Sequence, residues 1–246
     1  MRSLQIHALP SHVPAARLVG ATAVVIDVLR ATTVMVEALH AGADGVIPCA
    51  TIEEAKQRAA TLGPDTLLAG ERGGVSIEGF ELGNSPRACT PARVANRTLV
   101  MTTTNGTLAL LHAAPAAQVW IAAFTNLPAV VEGLVGDDRD VHLICAGTNG
   151  APTEEDLLLA GGIAVSLTAA APISLQTPDT TVWMQRWMEV QAAGEAALAQ
   201  ELRASRGGQN LIRLGYDLDI AHAAQVGRHA GVPVVIPGDP ATCRLP

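Results

Sequence analysis

Aromatic residues make up only 2% of this 246-residue chain, and lysine occurs once, at Lys56. The first shortage leaves Ala, Val and Leu to fill the interior, a composition that suits closely packed α/β layers. The second, with a formal net charge of −7, leaves no basic face for nucleic acid or anionic lipid. Cys49, Cys89, Cys145 and Cys243 lie far apart with no Cys-x-x-Cys, which argues against a zinc knuckle or a disulfide framework. The seven histidines fall in no ligand spacing such as His-Glu-x-x-His. No apolar run is longer than a strand, and the amino terminus lacks a basic start, an apolar stretch and a cleavage site. A soluble, cytoplasmic protein is expected, and a homodimer is compatible with it.

What the chain does contain is a repeated layout. Thr98 to Leu110 runs from an apolar strand (Leu99 to Met101) into Thr102, Thr103, Thr104, Asn105 and Gly106, then into a helix-forming stretch. Ala23 to Leu39 has the same order, with Asp27 at the strand end and Arg30 to Thr33 in the turn. Val141 to Gly150 repeats the Thr-Asn-Gly turn after a third apolar strand. Such turns present unpaired N–H groups and a helix's positive end to an anion. The fold expected is a three-layer α/β/α protein with a mostly parallel sheet, the loops after Ile26, Met101 and Ile144 meeting at one sheet edge. The length admits one domain or two interlocked halves, about 1–97 and 98–246.

Further elements follow the same logic. Ser3 to Leu9 is expected as an edge strand, and Thr51 with Glu54 has capping-box spacing. Leu67 to Gly74 is a short strand ending in Glu71, Arg72 and paired glycines. The loop through Gly79 to Pro86 carries apolar anchors, Ile77, Phe80 and Leu82, and is expected to be ordered. Thr153 opens a helix in which Asp156 sits at capping-box distance. A long helix is expected over Thr180 to Arg203, with Trp183 and Trp187 in the core or at a subunit contact. A helical pair (Gln209 to Leu214, Asp219 to Ala230) and a last strand (Val232 to Pro237) complete the chain.

The pieces Val25-Ile-Asp-Val-Leu-Arg-Ala-Thr-Thr33, Gly70-Glu-Arg-Gly-Gly74, Gly79-Phe-Glu-Leu-Gly-Asn-Ser-Pro86, Thr102-Thr-Thr-Asn-Gly-Thr107 and Glu155-Asp156, with a looser match at Gly215 to Ile220, resemble the 2-phosphosulfolactate phosphatase family. These are magnesium-dependent phosphatases of coenzyme M biosynthesis. Glu81 and His222 stand where the family pattern would have Asp and Cys. The resemblance implies Mg2+ as cofactor, a small doubly anionic phosphoester as substrate, and 2-phosphosulfolactate in particular, hydrolysed to 3-sulfolactate and phosphate.

Read on that basis, Asp27 is a magnesium ligand or a phosphoryl-accepting nucleophile. Haloacid dehalogenase-type enzymes place a second Asp two residues on, where this chain has Leu29, so the ligand role is favoured. Glu71 joins it, with Glu155 or Asp156 completing a hard-oxygen set. Arg30 and Arg72 offer planar forks for phosphate or sulfonate, and Asn105 completes the catalytic group. Thr32, Thr33, Asn84, Ser85, Thr103, Thr104, Gly106, Thr107, Thr148 and Asn149 are expected to contact substrate. A Cys-x5-Arg phosphatase loop is excluded, because the sixth residue after Cys145 is Ala151. A non-catalytic sensor for a small anion is the alternative, although carboxylates beside its ligand would repel it. A transferase moving phosphate between metabolites is a second alternative.

Overall fold

The computed structural model describes the backbone of all 246 residues and the side chains of all but residues 178, 179 and 195. In chain order the elements begin with β1 (Ser3–His7), β2 (Thr22–Ile26), α1 (Ala31–His40), β3 (Gly45–Pro48) and α2 (Ile52–Leu62). Then come β4 (Thr66–Arg72), β5 (Val75–Ser76), α3 (Pro91–Val94), β6 (Thr98–Thr102) and α4 (Gly106–Ala113). The next group is β7 (Gln118–Ala122), α5 (Leu127–Val135), β8 (Val141–Cys145), α6 (Glu154–Ala170) and β9 (Ser174–Leu175). The chain ends with α7 (Pro178–Ala192), α8 (Glu195–Ala204), α9 (Arg206–Arg213), α10 (Asp217–Ala223), β10 (Val234–Ile236) and β11 (Thr242–Arg244).

Among the described residues eleven strands join one sheet, in the order β5-β4-β6-β3-β11-β10-β7-β2-β8-β1-β9. The protein is therefore α/β, with helices on both faces of a mostly parallel sheet. β2 shows how the sequence produces this: its five residues are all buried and point alternately to the two faces. Val24 and Ile26 pack with α5 and α6, whereas Ala23 and Val25 pack with α1 and α4. A near-continuous apolar run of this kind is the mark of a strand covered on both sides.

The sheet has two parallel halves of opposite sense. β7, β2, β8, β1 and β9 form one, and β3, β6 and β4 the other. The antiparallel hairpin β10–β11 is wedged between them, pairing Val234 with Trp120 and Cys243 with Val46. The expected single shared edge is thus replaced by a different geometry. A strand-to-strand twist of ~20–25° accumulates over the steps from β6 to β2. The sheet curls around α1 and α4, and one buried cluster takes residues from β2, β3, β4, β6, β7 and β8 together. The carboxyl ends of β2, β6 and β8 meet across that curl.

Several local expectations are corrected. β1 is not an edge, because β9 pairs with it through Ser3↔Ser174 and Leu4↔Leu175. The long helix is broken into α7 and α8 at Gly194, whose φ of 98° is one that side-chain-bearing residues avoid. The final helix ends at Ala223 rather than Ala230; beyond it Gly227 and His229 donate to the carbonyls of Phe124 and Thr125 instead. Thr51 caps α2 by accepting from the Glu54 N–H at 3.0 Å, while the Glu54 carboxylate accepts from Ala50 rather than from Thr51. Trp187 is core, stacked on Phe124 with ring centroids 5.5 Å apart. Among the described residues no helix is long and apolar enough to cross a membrane. All four cysteines are buried and free.

Gly70 fixes the approach of β4 to β6 just before Glu71. Its φ is 149°, and a Cβ there would lie 2.0 Å from the Thr102 carbonyl oxygen. We expect Gly70→Ala to destabilise the protein by about 2 kcal/mol or more, through backbone strain and overpacking. In a thermal melt that is a fall of roughly 4–8 °C for a chain of this size. An unchanged melting temperature would show that β4 does not need this close contact.

Candidate active site

The meeting loops enclose a cavity of about 210 Å³. The turn directly after β2 contributes Asp27, Leu29 and Arg30, and the β4–β5 hairpin Glu71, Gly73 and Gly74. Asn84 enters from the 77–88 loop, Thr104 and Asn105 from the turn after β6, and Thr148 and Asn149 from the turn after β8. α9 closes the mouth with Arg206, Gly207, Asn210, Leu211 and Arg213.

Asp27 ends an apolar strand and is 7% exposed. Its Oδ1 accepts the Ala31 N–H at 3.1 Å, at the start of α1, where the helix dipole favours an anion. Burial pushes its carboxyl up to about 7, the nearby charges of Glu71 and Glu155 push the same way, and the Ala31 N–H and Arg30 oppose them. Gly106 keeps its other oxygen open: a Cβ at 106 would come within 2.5 Å of both Asp27 Oδ2 and the Ala31 Cβ.

Two of the neighbouring acids, Glu71 and Asp156, are committed to backbone donors, whereas Glu155 Oε2 is buried without a partner. Glu71 Oε1 accepts from the Thr104 N–H at 2.7 Å, and its Oε2 accepts from the Gly74 N–H at 2.6 Å and the Thr104 hydroxyl at 3.2 Å. Gly73 and Gly74 make this possible, with φ of 60° and 87° in a two-residue hairpin turn. Asp156 does not cap α6, although it has the spacing to do so. Its two oxygens accept from Val28 N–H at 2.8 Å and Gly147 N–H at 3.0 Å, tying the turns after β2 and β8 together. Burial raises its pKa well above the usual range, with the charges of Glu155 and Asp27 adding to it. Glu155 lies beneath α9, close enough that a Cβ on Gly207 would sit 2.0 Å from its Oε1. Burial raises this carboxyl as well, against the Ser205 hydroxyl and the Gly207 N–H. Neither Glu155 nor Asp156 lines the Asp27 cavity.

The arginines divide in the same way. Arg30 lines the cavity, but it donates to Asp219 Oδ2 at 2.8 Å and to the Gly74 carbonyl at 2.9 Å, and its guanidinium lies 4.2 Å from the centre of the Tyr216 ring. Arg72 points away, as strand alternation from Glu71 requires, and donates to the Glu71 carbonyl and the Thr102 hydroxyl. Most of the threonines expected at substrate hold their own turns. The Thr32 hydroxyl donates to the Asp27 carbonyl and accepts the Asp27 N–H, Thr33 donates to the Val28 carbonyl, and Thr103 and Thr107 bond each other. Ser85 donates to Asp219 Oδ1 at 2.8 Å. Thr104, Asn105, Thr148, Asn149 and Asn84 do face the cavity, and Asn105 Oδ1 accepts the Asn149 N–H at 3.1 Å.

Asp219 and the α9 residues Arg206, Asn210 and Arg213 were not singled out by the sequence. The 206, 210, 213 spacing does place polar groups on one helical face, but an exposed polar face is ordinary. Glu81 accepts from the Leu68 N–H, and His222 faces Glu37 at 3.1 Å; neither lines the cavity.

Among the described residues no three acidic, histidine or cysteine side chains converge as a ready metal cage. Two oxygens of the cavity residues nevertheless suit a hard cation. Asp27 Oδ2 is left open by Gly106, and Asn84 Oδ1 is buried with no hydrogen-bond partner. One carboxylate and one amide oxygen form the sparse set that fits Mg2+, which keeps several waters and takes further oxygens from substrate phosphate.

Residues 7–237 match the family described as 2-phosphosulpholactate phosphatase. A probable 2-phosphosulfolactate phosphatase of Symbiobacterium thermophilum is 43% identical over 227 residues, covering 92% of this chain and 95% of the relative. The protein of the same description from Deinococcus radiodurans is 40% identical over 219 residues, 88% of each chain. That of Thermotoga maritima is 38% identical over 217 residues, 88% of this chain and 90% of the relative. The chain belongs to the 2-phosphosulfolactate phosphatase family of phosphoric monoester hydrolases.

Proposed function

We propose that the protein is a magnesium-dependent phosphatase that hydrolyses a small anionic phosphoester, 2-phosphosulfolactate, which carries a sulfonate and a carboxylate beside the phosphate, to 3-sulfolactate and phosphate. The observation that supports this most is the buried Asp27 carboxylate, with a single backbone donor, on a cavity that also carries arginines and loop amides. A carboxylate in that setting repels a bare anion and calls for a cation. Asp27 Oδ2 and Asn84 Oδ1 would hold Mg2+. Bound there, the cation supplies charge neutralisation and Lewis acidity to the phosphoryl group.

The residues around it bind and orient. Thr148 and Asn149 present hydroxyl and side-chain amide groups to the phosphoryl oxygens, and Asn105 fixes the Asn149 loop through the bond to its N–H. Glu71 holds the Thr104 turn against the hairpin, and Asp156 holds the other two turns at their spacing. Arg30, neutralised by Asp219, fixes the start of α1 and the hairpin carbonyl. In hydrolysis a water oxygen forms a bond to phosphorus, the ester P–O bond breaks, and its electron pair leaves on the lactate oxygen, which takes up a proton. Positioned donors and a low-dielectric floor contribute most where the transferring phosphoryl is held in line.

Phosphate release from 2-phosphosulfolactate, followed with and without Mg2+, tests the reading. Wild type should release phosphate only with the cation, and Asp27→Asn should lose turnover by at least about a thousandfold, the scale of a lost metal-assisted step. Release unaffected by a chelator would contradict the cation's role.

The raised Asp27 pKa also carries a stability signature. A buried acid whose folded pKa, about 7, lies above its unfolded value, near 3.9, leaves the fold unpenalised below the unfolded pKa. The penalty grows as pH rises towards 7, reaching on the order of 4 kcal/mol above it. Asp27→Asn should therefore gain stability relative to wild type between pH 5 and pH 8 in chelator, and Mg2+ should raise the melting temperature of wild type alone. Parallel pH profiles for the two proteins would show that Asp27 titrates normally.

A further inference from the structure

We infer that the exposed face of α9 is the subsite for a non-transferred anionic group of the substrate, its sulfonate or its carboxylate, with Arg206 and Arg213 as its specificity-determining residues. This rests on the phosphatase reading and extends it to the part of the substrate that does not react. The cavity has three arginines, and they are not equivalent. Arg30 is 3% exposed and paired with Asp219, so its charge is compensated before any ligand arrives. Among the described residues the Arg206 guanidinium has no hydrogen bond or ion pair, and Arg213 has only a long contact, 3.4 Å, to Asn210 Oδ1. Two uncompensated guanidiniums at one mouth are a marked concentration of positive charge in a chain of net charge −7.

Seven residues apart on a helix, Arg206 and Arg213 share a face to within ~20°. The helix that carries them is held firmly. The Ser205 hydroxyl accepts the Gly208 N–H at 3.1 Å, Glu155 sits under Gly207, and a Cβ on Gly208 would lie 1.8 Å from the Leu202 carbonyl oxygen. The cavity is therefore polarised, with carboxylates Asp27 and Glu71 at its floor and free guanidiniums at its rim. A phosphoryl group meets the floor through a cation. A sulfonate or carboxylate a few bonds away meets the planar forks, which match its oxygens in pairs.

The test titrates 3-sulfolactate into wild type, Arg206→Gln and Arg213→Gln by calorimetry, a readout independent of turnover. Isethionate, which has only the sulfonate, and lactate, which has only the carboxylate, are run beside it. Both residues are exposed, so equal melting temperatures will confirm that the variants fold. Each variant should weaken 3-sulfolactate binding by about 10- to 100-fold, the scale of a lost hydrogen bond to a charged group. The single-anion probe whose binding falls in step identifies the group held. Binding unchanged in both variants, or no binding to wild type, overturns the α9 assignment. Phosphate release judges the other claim separately: a wild type that binds 3-sulfolactate through α9 but hydrolyses none of its phosphoesters would refute the phosphatase reading and leave the subsite standing.

Discussion

Four carboxylates lie close together under the meeting loops, and none is more than 7% exposed. Burying even one ionised acid is costly unless donors compensate it, and the fold around the site is organised by how each is compensated. Glu71 takes three donors from a hairpin and a turn, which closes one side of the cavity. Asp156 takes the N–H groups of two strand ends and so sets the distance between them. Glu155 supports the first turn of α9. Asp27 is left with one backbone donor and an open oxygen, and Glu155 Oε2 is buried without a partner; of the two, Asp27 is the one that lines the cavity a substrate can reach.

The curled sheet makes that arrangement possible. In a flat sheet, β6 and β2 would be separated by four strands, and their opposite senses would send their carboxyl ends to opposite edges. Twist, together with the β10–β11 hairpin that reverses strand direction, brings Gly106 against Asp27 instead. Gly106 is the contact at which this closure leaves no room for a Cβ. The carboxyl-terminal hairpin therefore has a role in the site although it contributes no residue to it.

Much of this was legible in the chain. The strand-turn-helix units, Asp27 at a strand end and the Thr-Asn-Gly turns all follow from apolar runs broken by residues that favour turns, because those signals are local. The two-half sheet was not legible, since nothing in the sequence of Val234 to Arg244 says that it will pair between β3 and β7. Side-chain commitments escaped for a similar reason. Arg30 looks like an anion clamp until Asp219, 189 residues away, is seen to hold it, and Asp156 looks like a cap until Val28 takes its oxygen. Trp183 and Trp187 do share one helix, α7, but its expected continuation to Arg203 stops short, and Gly194 was the local signal for that end. The α9 arginines escaped because two exposed arginines on a helix become notable only when a cavity is found in front of them.

Asp27 stands at the centre of the site as a carboxylate that a cation completes, and its own titration tests this most directly. The side-chain carboxyl 13C shift of Asp27, assigned through Asp27→Asn, can be followed against pH with and without Mg2+. The midpoint should lie near 7 in chelator and fall below about 5 when Mg2+ is saturating, since a bound cation favours the ionised form. A midpoint near 4 in chelator, or one that Mg2+ does not move, would contradict the account.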